Sequence, residues 1–369
     1  MNRFLAIALK ELRQLRRDRL TLAMMAALPV VQLLLFGYAI NTDVRHVPMV
    51  VWDQDHSSAS REIVETLVAT GFYDMEGEVF GYPEIERVMR SGRGRAALVV
   101  PPDYQASIGR GQTTTLQLVV DGTDPQIVAS ALNTVSSLVA TRSATAMVTR
   151  LGGAGPPLSL EPTLWYNPEQ RTAVFIVPGI IGVILTMTMV MLTAMAIVRE
   201  RERGTLEALI VSPVRSVELM VGKILPYVAI GYVQVTLILG VGRVVFNVPF
   251  VGSVPLLYLL TFLFIAANLA LGLVFSTLAR TQQQAMQMSF FFLLPNILLS
   301  GFAFPFEGMP EPAQWLAQAL PLTHFLRIVR GIALKGSTFW DVLPEVYWLT
   351  GILCAFVALA SLRFRKKLN

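Results

Sequence analysis

The sequence predicts a mainly α polytopic membrane protein: six transmembrane helices, with an α/β domain inserted between the first and the second. Three observations lead there. Of 369 residues, 54% are hydrophobic and only 15% carry charge, too little to cover the surface of a soluble chain of this length. Several apolar stretches reach the roughly 20 residues that a helix needs to cross a bilayer. Between the first two of these stretches lies a long polar segment in which β-branched runs alternate with helix-like ones.

Residues 1–19 open the chain as an amphipathic interface helix. Phe4, Leu5, Ala8, Leu9, Leu12 and Leu15 recur at spacings of three and four, and Arg13, Arg16, Arg17 and Arg19 lie largely off that stripe. Two readings stay open, a helix lying on anionic headgroups and a charged flank that sets topology. Residues 20–40 form the first span. It reads as an uncleaved anchor, because the preceding segment is too long and too charged for a signal peptide and no small-residue cleavage site follows.

Residues 41–170 form the α/β domain. Strands are expected at 47–53 (VPMVVWD), 96–101 (AALVVP) and 115–122 (TLQLVVDG), with helices near 57–70, 103–109 and 126–150. Such runs fit a sheet covered on both faces. The Gly- and Pro-rich stretch 152–168 reads as a link back to the membrane. The five-helix membrane region, 171–369, then holds spans at 172–198, 224–246, 255–278, 285–304 and about 346–362. Between the last two lies 304–336, apolar but broken by Pro305, Pro310, Pro312 and Pro321. One or two short re-entrant helices dipping into the outer leaflet would suit it, as would an interfacial loop anchored by Trp315.

Orientation follows from the basic residues. Lys and Arg crowd the segment before the first span, the loop between the second and third, and the chain end, where Arg363, Arg365, Lys366 and Lys367 stand. The turn 246–255 has none. Both termini are therefore expected in the cytoplasm of a cell with an inner membrane, and the α/β domain in the periplasm. The net charge of +5 belongs to these loops and does not call for nucleic acid. A lone cysteine, Cys354, forms no internal disulfide.

The most patterned loop is RERERGTLEALIVSPVRSVELMVGK, residues 199–223. Leu206, Leu209 and Ile210 make a small apolar face, and Arg203 and Glu207 sit four apart. Ser212-Pro213 would end the helix. A short amphipathic helix at 199–215 suits a groove on a soluble partner, and a plain positive loop fits equally well.

At this loop the sequence resembles ABC-2 type exporter permeases, whose intracellular loop carries E-R-E-x-G-T-x-E and S-P-x-R followed by E and G-K. Here the motif stands as Glu200, Arg201, Glu202, Arg203, Gly204, Thr205 and Glu207, then Ser212, Pro213 and Arg215, Glu218, Gly222 and Lys223. Lys10-Glu11 and Arg17-Asp18 resemble the family's interface helix. Pro305, Pro310, Pro321, Arg330, Gly331 and Lys335-Gly336 resemble its outer re-entrant region. The large insert is similar to that of the drug-efflux subgroup.

The resemblance implies a coupling helix at 200–207 seated on an ABC ATPase, a gate helix at 10–19 and an exit flanked by 304–336. It also implies a second permease subunit, identical or paralogous, a periplasmic membrane-fusion adaptor, and contacts with membrane lipids. ATP and magnesium would be bound by the partner ATPase. This chain has no P-loop, since Gly222-Lys223 is followed by Ile224 and lacks the upstream glycine. It is therefore expected to be a transport permease and not an enzyme.

Other candidates are weaker. Arg243 stands near the outer end of the third span as an intramembrane charge that either snorkels or meets an anion. Asp53, Asp55 and His56 could hold a metal, although a solvated strand end explains them better and no metal is assigned. His46 and His324 have no companions nearby in sequence. No catalytic set is assigned. Two rival functions remain, an ion-coupled secondary transporter and a membrane sensor or scaffold with a ligand-binding outer domain. The scarcity of ionisable residues inside the spans weighs against the first rival.

Overall fold

In a computed structural model, residues 44–149, 158–204 and 216–365 are described. The expected interface helix with Lys10, Glu11, Arg17 and Asp18, and the first span, lie outside the described residues. So do Thr205, Glu207, Ser212 and Pro213 of the patterned loop.

The α/β domain contains β1 (Val47–Asp53), α1 (Ser58–Ala69), β2 (Tyr73–Glu78), α2 (Tyr82–Arg90), β3 (Ala96–Val100), α3 (Tyr104–Gly109), β4 (Thr114–Asp121), α4 (Pro125–Thr149) and β5 (Leu158–Trp165). The strands form one mixed sheet in the order β2-β1-β3-β4-β5. β1 runs parallel to β2 and β3, β3 is antiparallel to β4, and β4 is parallel to β5. Strand alternation divides the apolar residues between two cores. Val47, Met49, Val51, Leu98, Leu116 and Leu118 pack on one face with Ile63 and Leu67 of α1 and Ile127 and Val135 of α4. Val50, Ala97, Val99 and Val119 pack on the other with Ile85 and Met89 of α2.

The three expected strands are present. β2 and α2 were not foreseen, because YDMEGE is polar and lies at a sheet edge with most of its side chains exposed. The expected link 152–168 is corrected too: Leu158–Trp165 is a strand paired with β4, Leu160 opposite Leu116. Pro162 interrupts the strand-like pattern, but an edge strand tolerates proline.

The helical region contains α5 (Thr172–Glu202), α6 (Ser216–Val244), α7 (Val254–Leu278), α8 (Gln282–Leu299), a 3₁₀ turn (Phe306–Gly308), α9 (Glu311–Gln318), α10 (Pro321–Lys335) and α11 (Leu343–Arg365). Among the described residues, four helices are long and apolar enough to cross a membrane: Thr172–Glu202, Pro226–Val244, Val254–Leu278 and Leu343–Arg363. The helix expected at 285–304 differs. It starts at Gln282, where Thr281 caps it, and ends at Leu299. Gly301 then takes a left-handed conformation, φ +82°, that few other residues adopt cheaply.

The helices pack closely. α10 is buried along nearly all its length, and its Phe325 stacks on Phe264 of α7 with ring centroids 4.0 Å apart. Gly272 of α7 lies against α5, where an added Cβ would stand 2.7 Å from the Val190 carbonyl oxygen. Gly182 of α5 lies against Leu322 and Phe325 of α10 in the same way. α6 and α11 present far more apolar surface outward, 22% and 17% buried against 56% for α5, as helices facing lipid or a partner do.

Candidate functional site

The site is a charged junction where the α/β domain meets the 3₁₀ turn, α9 and α10. β4 ends at Asp121, whose side chain is fully buried. Its Oδ1 accepts from the Thr123 backbone N–H at 3.1 Å and hydroxyl at 2.7 Å. Its Oδ2 accepts from Arg95 Nη1 at 2.8 Å and from the Lys335 ammonium. Arg95 stands at the entry to β3, held there by bonds from its own N–H to the Pro48 carbonyl and from the Asp121 N–H to its own carbonyl. From that position its Nε also donates to Glu307 of the 3₁₀ turn, at 3.3 Å.

Lys335 is the last residue of α10, and Gly336 closes the helix in a left-handed conformation. The Lys335 ammonium also donates to the Met89 carbonyl at 3.0 Å, and the Ser337 hydroxyl donates to the Arg90 carbonyl at 2.8 Å. Arg90 forms an ion pair with Asp341 at 3.1 Å. The end of α2 is thus seated on the end of α10. Charges this buried are tolerated only when paired and hydrogen-bonded. Burial alone would raise the Asp121 carboxyl. The Lys335 and Arg95 cations outweigh it and hold the group well below the usual carboxylate range.

A second set lies along α10. His324, fully buried, sets Nδ1 2.5 Å from Glu345 and Nε2 2.9 Å from the Gln318 carbonyl. Both ring nitrogens face acceptors, so the His324–Glu345 pair must hold a proton for each of these bonds. Arg327 donates to the same carboxylate at 3.1 Å. Arg330 donates from Nη1 to the Gly301 carbonyl at 3.0 Å, and its guanidinium lies over the Phe175 ring of α5 at 4.0 Å. Its Nε and Nη2 are buried and find no acceptor among the described residues. Between these groups lies a polar cavity of about 460 Å³, bounded by Asp124, Glu307, Gln318, Arg330 and Lys335.

The prolines foreseen in 304–336 mark its breaks. Pro305 precedes the 3₁₀ turn, Pro310 precedes α9 and Pro321 begins α10. Gly331 faces Ser337, whose N–H donates to the Gly331 carbonyl.

At the opposite end of α5, Arg199–Glu202 form its last turn, Arg203 caps it and Gly204 is left-handed at φ +69°. Glu202 accepts from the Gln282 backbone N–H at 2.9 Å and side-chain amide at 2.5 Å, and Arg201 donates to the Ala279 carbonyl at 3.0 Å. The motif residues 199–204 are therefore tied to the α7–α8 connection. Glu200 lies in the same turn.

Arg243 is exposed in the last turn of α6, a placement that suits snorkelling. Asp53 accepts from the backbone of Asp55 and His56 and from the Ser60 hydroxyl, so it organises the start of α1. The two histidines expected to stand alone do not. His46 pairs with Asp74 at 3.1 Å, and His324 pairs with Glu345, partners 28 and 21 positions away. Sequence reading also passed over Asp121, Arg95, Glu307 and Asp124. The available signals were the charged DGTD that ends a buried strand and a lysine closing an apolar helix.

Long apolar helices packed around α10, with an α/β domain clamped to it by buried charge, are the architecture of an integral membrane protein. The chain belongs to the ABC-2 transporter family: the family described as "ABC-2 family transporter protein" matches residues 19–362. Its relatives include "Probable multidrug ABC transporter permease YbhR" of Escherichia coli, 29% identical over 97% of each chain. YbhS of the same organism, with the same description, is 28% identical over 99% of this chain and 97% of its own. "ABC transporter G family member 20" of Dictyostelium discoideum is 26% identical over 98% of this chain and 51% of its own length. Among solved structures, a domain of a putative ABC type-2 transporter from Thermotoga maritima aligns at 18% identity and a TM-score of 0.26. It covers 32% of this chain and 85% of its own.

Proposed function

We propose that this chain is the transmembrane permease subunit of an ATP-driven exporter that moves amphipathic or drug-like substrates out of the cytoplasm, powered by a separate ABC ATPase. Family membership and the printed names of the relatives support transport. In this reading the chain crosses the inner membrane six times, with both termini in the cytoplasm and the α/β domain in the periplasm. It pairs with a second permease subunit, identical or paralogous, and the α/β domain caps the exit or receives an adaptor. ATP and magnesium act in the partner.

One observation carries the mechanical part. A single helix, Thr172–Glu202, has the motif residues Glu200–Gly204 at one end and, near the other, Phe175 beneath Arg330 of α10. α10 in turn holds the α/β domain through Lys335 and Asp121. A displacement of the motif by an ATPase would therefore pass along α5 into α10 and the domain. Transport needs only that the substrate bind one of the resulting states more tightly than the other.

Proteoliposomes containing the chain and its co-purified ATPase test this. ATP-dependent extrusion of a fluorescent amphiphile is expected. Gly204→Pro and Glu207→Arg should abolish it while membrane insertion and ATPase binding persist. Export by those variants at the wild-type rate, or extrusion driven by an ion gradient without ATP, would refute it.

A further inference from the structure

His324 lies at a corner where three helices meet. Its Nε2 is 2.9 Å from the Gln318 carbonyl at the end of α9, and its Nδ1 is 2.5 Å from Glu345 in the first turn of α11. A carbonyl only accepts, so Nε2 must carry a hydrogen. The short bond between Nδ1 and the carboxylate then needs one further proton, on either partner. Without it, a bare nitrogen and a carboxylate oxygen face each other with lone pairs, and this hydrogen bond between α10 and α11 is gone. The His324 side chain is fully buried, so water does not take its place, and an unmet buried polar group is costly.

The neighbours favour keeping that proton. Among the described residues, the one other charged side chain within ion-pair distance of the pair is Arg327 of α10. It donates to the second oxygen of Glu345 at 3.1 Å and lies over the Phe306 ring at 4.4 Å. Asp341, just before α11, is turned to Arg90 instead. From α9 comes the Gln318 carbonyl, which is neutral. Trp348 of α11 stacks on the imidazole with ring centroids 5.6 Å apart and planes within 8°, a distance at which an aromatic face attracts a cation.

We infer that His324 and Glu345 form a proton-binding site that ties α9, α10 and α11 together, and that loss of this one proton loosens the corner. Glu345 is part-exposed and borders the junction cavity, so the proton exchanges with water through it. The tie is complete while the proton is held and weakens as pH rises far enough to remove it. Gln318 and Trp348, which hold the imidazole, also line a groove of about 650 Å³ between α9 and α11, so the shape of that groove follows the proton. The pair lies at the end of the helical region that meets the α/β domain, since Arg327 and Glu345 border the same cavity as Arg95 and Asp124. The site does not depend on the transport reading. Only the compartment whose pH it samples does, and in that reading it is the periplasm.

The test uses the full-length protein in nanodiscs. The chain has three histidines, so their ring-nitrogen NMR signals can be followed separately from about pH 5 to about pH 9, a range that brackets imidazole titration. His46 and His56 are exposed and serve as references. As the His324 signal reports loss of its proton, hydrogen-exchange protection around Gln318, His324 and Glu345 should fall at least about tenfold after correction for intrinsic exchange, the worth of one charge-assisted hydrogen bond. Glu345→Gln separates a proton site from a plain contact. Its amide can donate to a bare Nδ1, so the tie no longer needs the exchangeable proton, and protection there should stay level across the same range. A His324 ring that keeps its proton count throughout, protection that does not follow the His324 signal, or the same pH dependence in Glu345→Gln would overturn the inference.

Discussion

The pair Asp121 and Lys335 can be taken apart quantitatively. The Asp121 side chain is wholly buried and that of Lys335 is 4% exposed, so salt and water screen neither strongly. Replacing Asp121 by Ala leaves the Lys335 ammonium with one carbonyl acceptor and beside Arg95, a like charge. Breaking a buried pair in this way costs about 3–5 kcal/mol. Lys335→Met is milder, because Asp121 keeps Arg95 and both Thr123 bonds, and should cost about 1–3 kcal/mol. The double variant removes both charges together, so its cost should fall short of the sum by roughly 1–3 kcal/mol.

Hydrogen exchange on the full chain in nanodiscs reads this as local opening. In Asp121→Ala, protection of the β3–β4 pairing and the end of α10 should fall by about 140- to 3700-fold, taking tenfold per 1.4 kcal/mol. In the double variant protection should stay close to that of Asp121→Ala alone, well above what two additive costs would leave. If the two single costs simply add to within about 0.5 kcal/mol, the residues do not act as a pair and the junction is not held by them.

Further outcomes follow from the same geometry. Gly272→Ala should destabilise the helical region by about 1–3 kcal/mol, because the new Cβ meets the backbone of α5. Gly351→Ala, which meets nothing within 4 Å, should be neutral or slightly stabilising, and thermal unfolding distinguishes the two. Burial raises the Asp124 carboxyl and Arg330 works against that rise. A raised acid binds its proton more readily when folded, so Asp124 should make stability fall as pH rises from the ordinary carboxylate value to its own raised one. Asp124→Asn should remove that slope in unfolding measured across pH. Asp121 has the opposite sign. Its contribution is complete above the ordinary carboxylate value and is lost only as strong acid approaches its depressed one. His324→Ala should cost about 1–3 kcal/mol by leaving Glu345 short of a donor, read as a lower unfolding midpoint.

Much of the fold was legible. Val47–Asp53 and Ala96–Val100 show the short β-branched runs of covered strands, and Thr172–Glu202 and Val254–Leu278 show apolar length that soluble helices lack. Where reading failed, the local signal pointed elsewhere. β2 is polar because it lies at an edge, and β5 contains a proline that only an edge allows. The helix α8 stopped at Leu299 because a left-handed glycine outweighs a few more apolar residues. The junction was harder still. Asp121, Arg95, Glu307 and Lys335 are ordinary charged residues one at a time, and Asp121 and Lys335 are 214 positions apart.

Local composition and spacings of two or three to four residues dictated the solvent of each segment and the period of each element. The patterned loop of the sequence also carried the family resemblance. The tertiary structure alone decided which charges meet. Whether Lys335 is a solvated helix end or a buried counter-ion depends on what lies across from it in space, and a charge is stable away from water only where the fold brings an opposite one within hydrogen-bonding distance.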